Sequence, residues 1–228
     1  MMKVSLLTNT PDIERTIVHI ARVSSSRKDK SAEPEKLINY LIKNAHYSPF
    51  EHGFLTVDIT TSIPVSIHLL RHRSFTFQQL SARYQDVSTQ EDLFQEVELR
   101  RQAADNRQSS TETFDPLLWG ILHANVGTKS STAVAALQNQ SKVLYKSLLA
   151  AGVARETARM VLPLCTSTRL YMTGNVRSWL GFLNLRLDHH SQKETVDIAI
   201  EIAKIIKEVC PAISAATNNF NNFQGKFM

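Results

Sequence analysis

Apolar residues recur along the chain with the two periods that distinguish strands from helices. The segment FLTVDIT at residues 54–60 alternates between apolar and polar positions, which is the pattern of a strand with one buried face. Residues 168–173 alternate in the same way, and residues 2–7 form a short run suited to a strand. The pattern therefore predicts three strands that are well separated along the chain.

Helical spacing of apolar residues covers most of the remaining chain. Thr10 followed by Pro11 is typical of an N-cap with proline at the first helical position, and Pro34 and Pro64 begin two further apolar patterns. Gly152 follows another such pattern and is expected to cap that helix at its C-terminus. The predicted helices cover residues 11–23, 34–45, 64–73, 132–150, 153–162, 176–188 and 192–209.

Residues 86–131 interrupt this pattern with a polar stretch of mixed charge. Apolar residues return to helical spacing at 117–121, so we expect a variable, partly helical insertion. The C-terminal NNFNNFQGKFM has no period and is expected to form a tail. The whole pattern predicts one helix-rich domain of the mixed α/β (α+β) class over residues 1–228.

The composition narrows the class of protein and its partners. With 228 residues, of which 43% are hydrophobic, the chain can bury a sizeable core. Its net charge of +5 favours anionic partners without separating nucleic acid from a nucleotide. Because no run of 18 apolar residues occurs and the N-terminal segment lacks a cleavage-site pattern, we expect a cytoplasmic protein that does not enter a membrane.

Familiar metal and nucleotide motifs do not occur in the sequence. Cys165 and Cys210 lack metal-ligand spacing with the histidines, so we expect both to be reduced and we expect no metal site. His68 falls on the apolar face of its helix and is expected to be a hydrogen-bonded core residue. Neither GxGxxG nor GxxxxGK[ST] occurs, so a flavin or nicotinamide would bind in another way.

Arginines in three segments accompany amide, hydroxyl or carboxylate side chains. The first segment, RHRSFTFQQLSARY at 71–84, follows an apolar helix face, and its aromatic residues should draw it inward. Residues 74–83 are expected to form a loop there. A buried guanidinium needs a partner, and a bound anion is one such partner. The other two segments are Arg155 and Arg159 with Glu156, and Arg177 and Arg186 with Asn175 and Asn184.

The first segment also carries a specific spacing of residues. Arg71-His72-Arg73, seven residues, and then Ser81-x-Arg83 resembles the signature of the flavin-dependent thymidylate synthases. Further segments agree with that family in the same order: HYSPFEH (46–52), ARMVLPL (158–164), TGNVRSWLGFLNLR (173–186) and DHHSQ (188–192). The resemblance spans nearly the whole chain and is weakest in the 86–131 insertion.

The resemblance implies a reaction and an assembly. The reaction is the reductive methylation of deoxyuridine monophosphate (dUMP) to thymidine monophosphate (dTMP). Methylenetetrahydrofolate supplies the carbon, and FAD reduced by NADPH supplies the hydride. The assembly is a homotetramer of mixed α/β subunits in which each active site uses more than one subunit, and no nucleic acid takes part.

The resemblance also implies which residues serve this reaction. Arg186 would be the catalytic residue, because a fixed guanidinium beside the uracil ring can stabilise the negative charge that makes carbon 5 nucleophilic. Ser81 would bind rather than attack, since arginines and not a base surround it in the motif. The implied FAD ligands are Ser48, Arg71, His72, Arg73, Gln79, Asn175, Val176 and Arg177. The implied nucleotide ligands are Arg71, Gln79, Leu80, Ser81, Ala82, Arg83, Arg159 and Arg186.

Three positions depart from the pattern of the family. Gln79 stands where many relatives carry Glu, and its neutral amide can still hydrogen-bond nucleotide or flavin. His68 stands where relatives often place Gln against the nucleotide. Gly181 stands where others place Asn or His against the flavin, so lower FAD affinity is expected.

Two other functions stay open from the residues themselves. A flavin-free thymidylate synthase would need an activated cysteine, and Cys165 follows a helix stop but lacks the Pro-Cys-His context of that nucleophile. A nucleic-acid binder would use the basic residues on phosphates and stack Phe75 and Phe77 on bases. The arginines are spread over three distant segments, which favours a pocket on which these segments converge over a groove that follows a nucleic-acid strand.

Overall fold

The three-dimensional structure is a computed structural model that describes residues 2–24, 34–188 and 190–220. His189 and the end of the predicted tail, residues 221–228, lie outside the described residues. The described chain is rich in helix with a smaller content of strand, so the predicted mixed α/β class is confirmed. None of the described helices is both long and apolar enough to cross a bilayer.

The regular elements have the following bounds. The strands are β1 (Lys3–Asn9), β2 (Phe54–Ser62), β3 (Thr76–Gln79), β4 (Arg100–Gln102), β5 (Ser110–Thr113), β6 (Leu117–Trp119), β7 (Gly127–Lys129) and β8 (Ser167–Asn175). The α-helices are α1 (Ile13–Ala21), α2 (Pro34–Lys43), α3 (Ile63–Leu70), α4 (Ser130–Ala150), α5 (Arg155–Ala158), α6 (Val176–Arg186), α7 (Lys193–Val209) and α8 (Pro211–Ala216).

The chain divides into two compact units. The terminal unit comprises residues 3–59, residues 68–78 and the chain from residue 170 onward. The central unit comprises mainly residues 60–67 and 79–169. The single domain over residues 1–228 stays a prediction.

Four of the strands form one sheet in the order β1-β2-β8-β3. The alternation in β2 and β8 that the sequence predicts is confirmed by burial. Leu55, Val57 and Ile59 on β2 are buried, as are Leu170 and Met172 on β8. Each strand therefore turns one row of apolar side chains into a core and leaves polar side chains on its other face.

Helices of the terminal unit supply most of its core. On α6 the side chains of Trp179, Leu180, Phe182 and Leu183 are buried together. The helix α7 packs against α6 and β1. Glu14 on α1 accepts a hydrogen bond from the backbone N–H of Ile213 at 2.8 Å and so caps the first turn of α8.

The central unit has a smaller core of its own. Val87, Leu93, Tyr145 and Ala158 are buried together, and partly buried residues that include Leu80, Ala82 and Val161 pack against them. The long helix α4 supplies Tyr145, and α5 supplies Ala158. The helix α5, through Ala158 at its end, and the Leu80–Ala82 segment are therefore anchored on one core.

The predicted helical part of the 86–131 insertion is wrong at residues 117–121. Leu117, Leu118 and Trp119 form β6, which pairs with β7 so that Trp119 faces Gly127. A short apolar run fits a strand as well as a helix, and Gly127 brings no side chain against the Trp119 ring. Within residues 86–129 the described helical structure is a single 3₁₀ turn, Val87–Thr89.

Three smaller expectations also need correction. Thr10 does not cap α1, because its hydroxyl accepts a hydrogen bond from the N–H of Phe54 at 3.0 Å, and Asp12 occupies the N-cap position with φ of 44°. The expected loop 74–83 contains the strand β3. The region called a tail begins with a described 3₁₀ turn, Asn218–Phe220.

Candidate active site

The segment after α3 carries Arg71, His72 and Arg73, and an aromatic ring anchors it. Phe75 packs edge-to-face on Trp179 with ring centroids 4.6 Å apart and also contacts Phe182. A Cβ at Gly174 would lie 2.4 Å from the Phe75 ring, so the absence of a side chain there makes room for it. The aromatic contact fixes the loop by burial of a large apolar ring.

Arg186 and His72 are hydrogen-bonded to each other. The Nε of Arg186, in the last turn of α6, donates to Nε2 of His72 at 2.9 Å. The His72 ring also packs edge-to-face on Phe182, with centroids 5.0 Å apart. The structure thus brings together two residues that are 114 positions apart in sequence.

Burial and charge keep His72 neutral. Burial, and then the neighbouring charge of Arg186, lower the pKa of His72 to about 4. Burial also lowers the pKa of Arg186 from its usual value, yet a guanidinium remains protonated at neutral pH. The pair is therefore a positive guanidinium that donates to a neutral imidazole.

The N-terminus of α6 carries three of the predicted flavin ligands, and they differ in what they can contribute. Asn175 is the N-cap, and its Oδ1 accepts a hydrogen bond from the N–H of Ser178 at 2.8 Å. Val176 is buried, and its N–H donates to the carbonyl of Gly53 at 2.8 Å. Arg177 pairs with Glu51 in the 3₁₀ turn Ser48–His52. Only Arg177 retains an ionised side chain that is partly exposed.

Ser48, Arg71 and Arg73 are exposed in the terminal unit. Ser48 begins the same 3₁₀ turn that carries Glu51, the partner of Arg177. Within the described part of the chain, the side chains of Arg71 and Arg73 form no hydrogen bond and no ion pair. Their guanidinium groups are therefore available to an anion.

In the central unit, the Ser81–Arg83 segment alternates between core and solvent. Leu80 and Ala82 pack against the small core, while Arg83 is exposed. The Ser81 hydroxyl accepts a 3.4 Å hydrogen bond from the N–H of Arg83, and the Ser81 carbonyl accepts from the N–H groups of Tyr84 and Gln85. This tight turn directs Ser81 and Arg83 away from the core.

Three arginines of the central unit gather near Glu156. Arg83 Nη2 lies 3.3 Å from a Glu156 carboxylate oxygen, and Arg159 Nε donates to the Glu156 carbonyl at 3.3 Å. Arg155 Nη1 donates to the Tyr84 carbonyl at 3.0 Å. The cluster forms because Ala158 anchors α5 on the same core as Ala82. Such a group of guanidinium ions suits a phosphate.

Arg155 is a residue that the implied site lacked. Its spacing from Arg159 is visible in the sequence, but only the folded chain shows its hydrogen bond to the carbonyl of Tyr84, the residue after Arg83. Through that bond Arg155 holds the turn that carries Arg83.

Gln79 uses its amide nitrogen inside the protein. Its Nε2 donates to the Ser66 and Thr168 hydroxyls, each at 3.0 Å, and Ser66 in turn donates to the Ile63 carbonyl at 2.7 Å. An amide nitrogen has two hydrogens, so both are committed. What remains for a ligand is the amide oxygen, which is the atom that Gln shares with Glu.

The surroundings of the two cysteines bear on whether either could act as a nucleophile or a metal ligand. The Cys165 sulfur accepts a 3.3 Å hydrogen bond from the Gln138 amide, which is a neutral donor and cannot act as a base. Burial raises the pKa of the Cys210 thiol well above its usual value. Among the described residues, no group of three or more His, Cys, Asp or Glu side chains is placed to hold a metal ion.

Comparisons with known proteins agree with the resemblance that the motif indicates. Residues 5–212 match the family described as "Thymidylate synthase complementing protein". A flavin-dependent thymidylate synthase from Synechocystis is 40% identical over 205 residues, which cover 89% of this chain and 88% of that one. A probable flavin-dependent thymidylate synthase from Paramecium bursaria Chlorella virus 1 is 34% identical over 89% of each chain.

A solved structure also shares the fold. The crystal structure of a UMP/dUMP methylase, PolB, from Streptomyces cacaoi bound with 5-Br dUMP superposes with a TM-score of 0.76. The two proteins are 27% identical, and the match covers 97% of this chain and 96% of the other. Sequence and fold together show that this chain belongs to the family of flavin-dependent thymidylate synthases.

Proposed function

We propose that this protein methylates dUMP to dTMP, with methylenetetrahydrofolate as carbon donor and FAD, reduced by NADPH, as hydride donor. The methylene carbon and one hydride together form the new methyl group on uracil carbon 5. The proton of carbon 5 is lost, and tetrahydrofolate leaves. NADPH therefore ends as NADP⁺ and the flavin returns to its oxidised form, which balances the electrons.

The observation that carries this proposal is the placement of Arg186. Its Nε is held by neutral His72, and its two terminal nitrogens have no hydrogen-bond partner among the described residues. A uracil ring attacks through carbon 5 only if negative charge on the ring is stabilised. Arg186 supplies a fixed positive charge and free N–H donors for that purpose, without a covalent bond to the ring.

The residues of the terminal unit fit a flavin dinucleotide. FAD carries a diphosphate, and Arg71 and Arg73 are exposed guanidinium ions without a carboxylate partner among the described residues. Arg177 adds a third, which its ion pair with Glu51 holds in place. We assign diphosphate binding to these arginines, with Ser48 as a further hydrogen-bonding group.

His72, Asn175 and Val176 would support flavin binding in other ways. Asn175 and Val176 would act by fixing the start of α6, because the Asn175 side chain caps the helix and the Val176 side chain is buried. His72 borders the cofactor through its ring. When bound, the flavin supplies the hydride, and these residues only hold and orient it.

The nucleotide phosphate is assigned to the central unit. Ser81, Arg83 and Arg159 provide a hydroxyl and two guanidinium groups, and Arg155 supports the turn on which the first two lie. Arg71 would also reach the nucleotide. The Gln79 amide oxygen would accept from the nucleotide or flavin, while Leu80 and Ala82 would contribute backbone beside it.

Assembly and partners follow the same proposal. We propose a homotetramer in the cytoplasm, whose active sites each use residues of more than one subunit. The substrates are dUMP and the folate, and the protein has no nucleic-acid or membrane partner. Sedimentation velocity of the purified protein would test the tetramer, and a monomer with full activity would contradict it.

The function is tested by the flavin spectrum and product formation. Protein supplied with FAD is reduced anaerobically with NADPH, dUMP and methylenetetrahydrofolate are added, and dTMP is measured by chromatography. We expect bleaching of the flavin band that quickens with dUMP, and dTMP that forms only when all components are present. A protein that binds no flavin, or forms no dTMP, would overturn the proposal.

Arg186→Ala is the decisive variant for the catalytic assignment. It should abolish dTMP formation and leave much of FAD binding, because the guanidinium acts on the uracil ring. Arg15→Ala, which removes an exposed arginine on α1, is the matched control and should turn over like the unmodified protein. An active Arg186→Ala enzyme would refute the assigned role.

A further inference from the structure

We propose that His72 is a positioning residue for Arg186, and that it works by accepting a hydrogen bond at Nε2 as a neutral imidazole with its proton on Nδ1. This inference rests on the proposed function, in which Arg186 stabilises charge on the uracil ring. It goes beyond a contact between His72 and the flavin, because it assigns the imidazole a task toward another side chain.

The direction of the hydrogen bond fixes the state of the imidazole. A guanidinium group has five N–H donors and no acceptor. Because Arg186 Nε lies 2.9 Å from His72 Nε2, the ring nitrogen must offer a lone pair. A protonated imidazole has a hydrogen on both nitrogens and could not accept this bond. A neutral ring with its proton on Nδ1 is the form that fits.

The electrostatic environment supports the same state. Burial and the Arg186 charge both disfavour a second positive charge on His72. Two aromatic rings also lie beside the imidazole: Phe75 at a centroid distance of 6.2 Å and Phe182 at 5.0 Å. A neutral acceptor beside a partly buried guanidinium satisfies one donor without cancelling the charge that the reaction needs.

The fold holds the backbone of His72 on both sides. The N–H of His72 donates to the Leu69 carbonyl at 3.0 Å, and the His72 carbonyl accepts from the N–H of Phe75 at 3.3 Å. Phe75 in turn packs on Trp179 of α6. His72 is therefore a rigid acceptor on the loop that follows α3, and it fixes the Nε end of Arg186.

Fixing the Nε end has a consequence for the other end of the guanidinium group. The group is planar, so a bond at Nε sets the plane and direction of Nη1 and Nη2. These two nitrogens carry the four donors left for the substrate. A misplacement of about 1 Å in such a group can cost about 100-fold in rate. Loss of the Nε2 acceptor should therefore reduce turnover more than nucleotide binding.

The first test reads the tautomer directly. The protein with ¹⁵N-labelled histidine is studied by NMR at neutral pH, and His72→Phe identifies the His72 signals. We expect Nδ1 to carry the proton and Nε2 to lack it, and we expect Arg186→Met to shift this tautomer balance. A protonated Nε2 in the unmodified protein, or a spectrum that Arg186→Met leaves unchanged, would overturn the inference. This test is independent of activity, so it decides the inference even if the proposed reaction fails.

The second test separates positioning from flavin binding. His72→Phe keeps an aromatic ring against Phe182 but removes the acceptor, and His72→Gln keeps an acceptor oxygen. At saturating FAD we expect kcat for dTMP formation to fall about 10- to 100-fold in His72→Phe, with KM for dUMP changed far less. His72→Gln should recover part of that loss.

His19→Phe, on the exposed face of α1, is the control for removing a histidine and should leave kcat unchanged. Activity of His72→Phe that returns to normal when more FAD is added would show a flavin contact only and would overturn the positioning role. Equal losses in His72→Phe and His72→Gln would also overturn it. If His72→Phe does not fold, His72→Gln and the NMR test still decide.

Discussion

Gly174→Ala offers a sharp test of how the fold shapes the candidate site. Gly174 lies on β8, and its backbone is outside the left-handed region, so alanine can adopt it without strain. The added Cβ would lie 2.4 Å from Cδ1 and 2.5 Å from Cε1 of Phe75. The ring must move, and it is packed on Trp179 at 4.6 Å. The loop that carries Arg71, His72 and Arg73 would move with it.

The expected size of the effect follows from three terms. Overpacking of this kind costs about 1–3 kcal/mol, and loss of the edge-to-face contact with Trp179 adds about 0.5–1.5 kcal/mol. The lower chain entropy of the unfolded state returns about 0.4–1 kcal/mol. We therefore expect Gly174→Ala to lower the free energy of unfolding by about 0.5–4 kcal/mol, and to weaken FAD binding.

The assay is urea unfolding followed by tryptophan fluorescence, combined with a double-mutant cycle. Gly127→Ala on β7 is the matched control, because its Cβ would meet the Trp119 ring at an ordinary 3.4 Å, and it should cost little. In a Phe75→Ala background the clash is absent, so Gly174→Ala should no longer destabilise. A cost that is the same in both backgrounds would refute the steric reasoning.

The remaining predictions concern His72, Arg83 and Cys165. Because the pKa of His72 is about 4 in the folded state and about 6.5 in an unfolded chain, the unfolded state binds more protons between these values. Stability should fall as pH falls from 6.5 to 4, by on the order of 1–2 kcal/mol after a discount for solvent screening of this partly buried ring. His72→Phe should remove this part of the slope in urea titrations at several pH values, and an unchanged slope would contradict the prediction. Arg83→Ala should raise the Kd for dUMP, measured by calorimetry, about 10- to 100-fold. Arg101→Ala removes a similarly exposed arginine that is paired with Glu112, and it should leave this Kd unchanged. Equal Kd values for the two variants would count against the phosphate assignment. Cys165→Ala should keep its rate of dTMP formation, and an inactive but folded variant would revive the cysteine mechanism.

The elements that the sequence pattern predicted well are those with one buried face. Alternation in β2 and β8 leaves little choice, because only the strand period fits it and one face of each strand is buried. The helix α4 was also predicted, although Leu137 and Leu144 of its apolar spacing are exposed. The strand β6 was mistaken for helix, since three adjacent apolar residues have no period of their own. The strand β6 pairs with β7, where Gly127 lies opposite Trp119. No local pattern in either segment specifies this pairing.

The resemblance implied the residues of the candidate site one by one, and it implied no contacts between them. The resemblance implied His72 through the 71–83 motif and Arg186 through the 173–186 segment, each beside a ligand, and gave no sign of the hydrogen bond between them. Asn175 and Val176 show the converse, because residues implied as ligands turn out to cap and anchor α6. A spacing rule records which side chains occur together, and it does not distinguish those that touch a ligand from those that hold others in place.

The apolar members of the motif explain why its spacing has to be fixed. Between Arg73 and Ser81 the chain must place Phe75 on Trp179 of the terminal unit, and Leu80 then packs on the core of the central unit. One residue more or fewer between these anchors would invert the alternation of β3 and turn Gln79 away from Ser66 and Thr168. The seven-residue interval is therefore a constraint of packing and strand register, and that packing sets where Arg73 and Arg83 lie on either side of it.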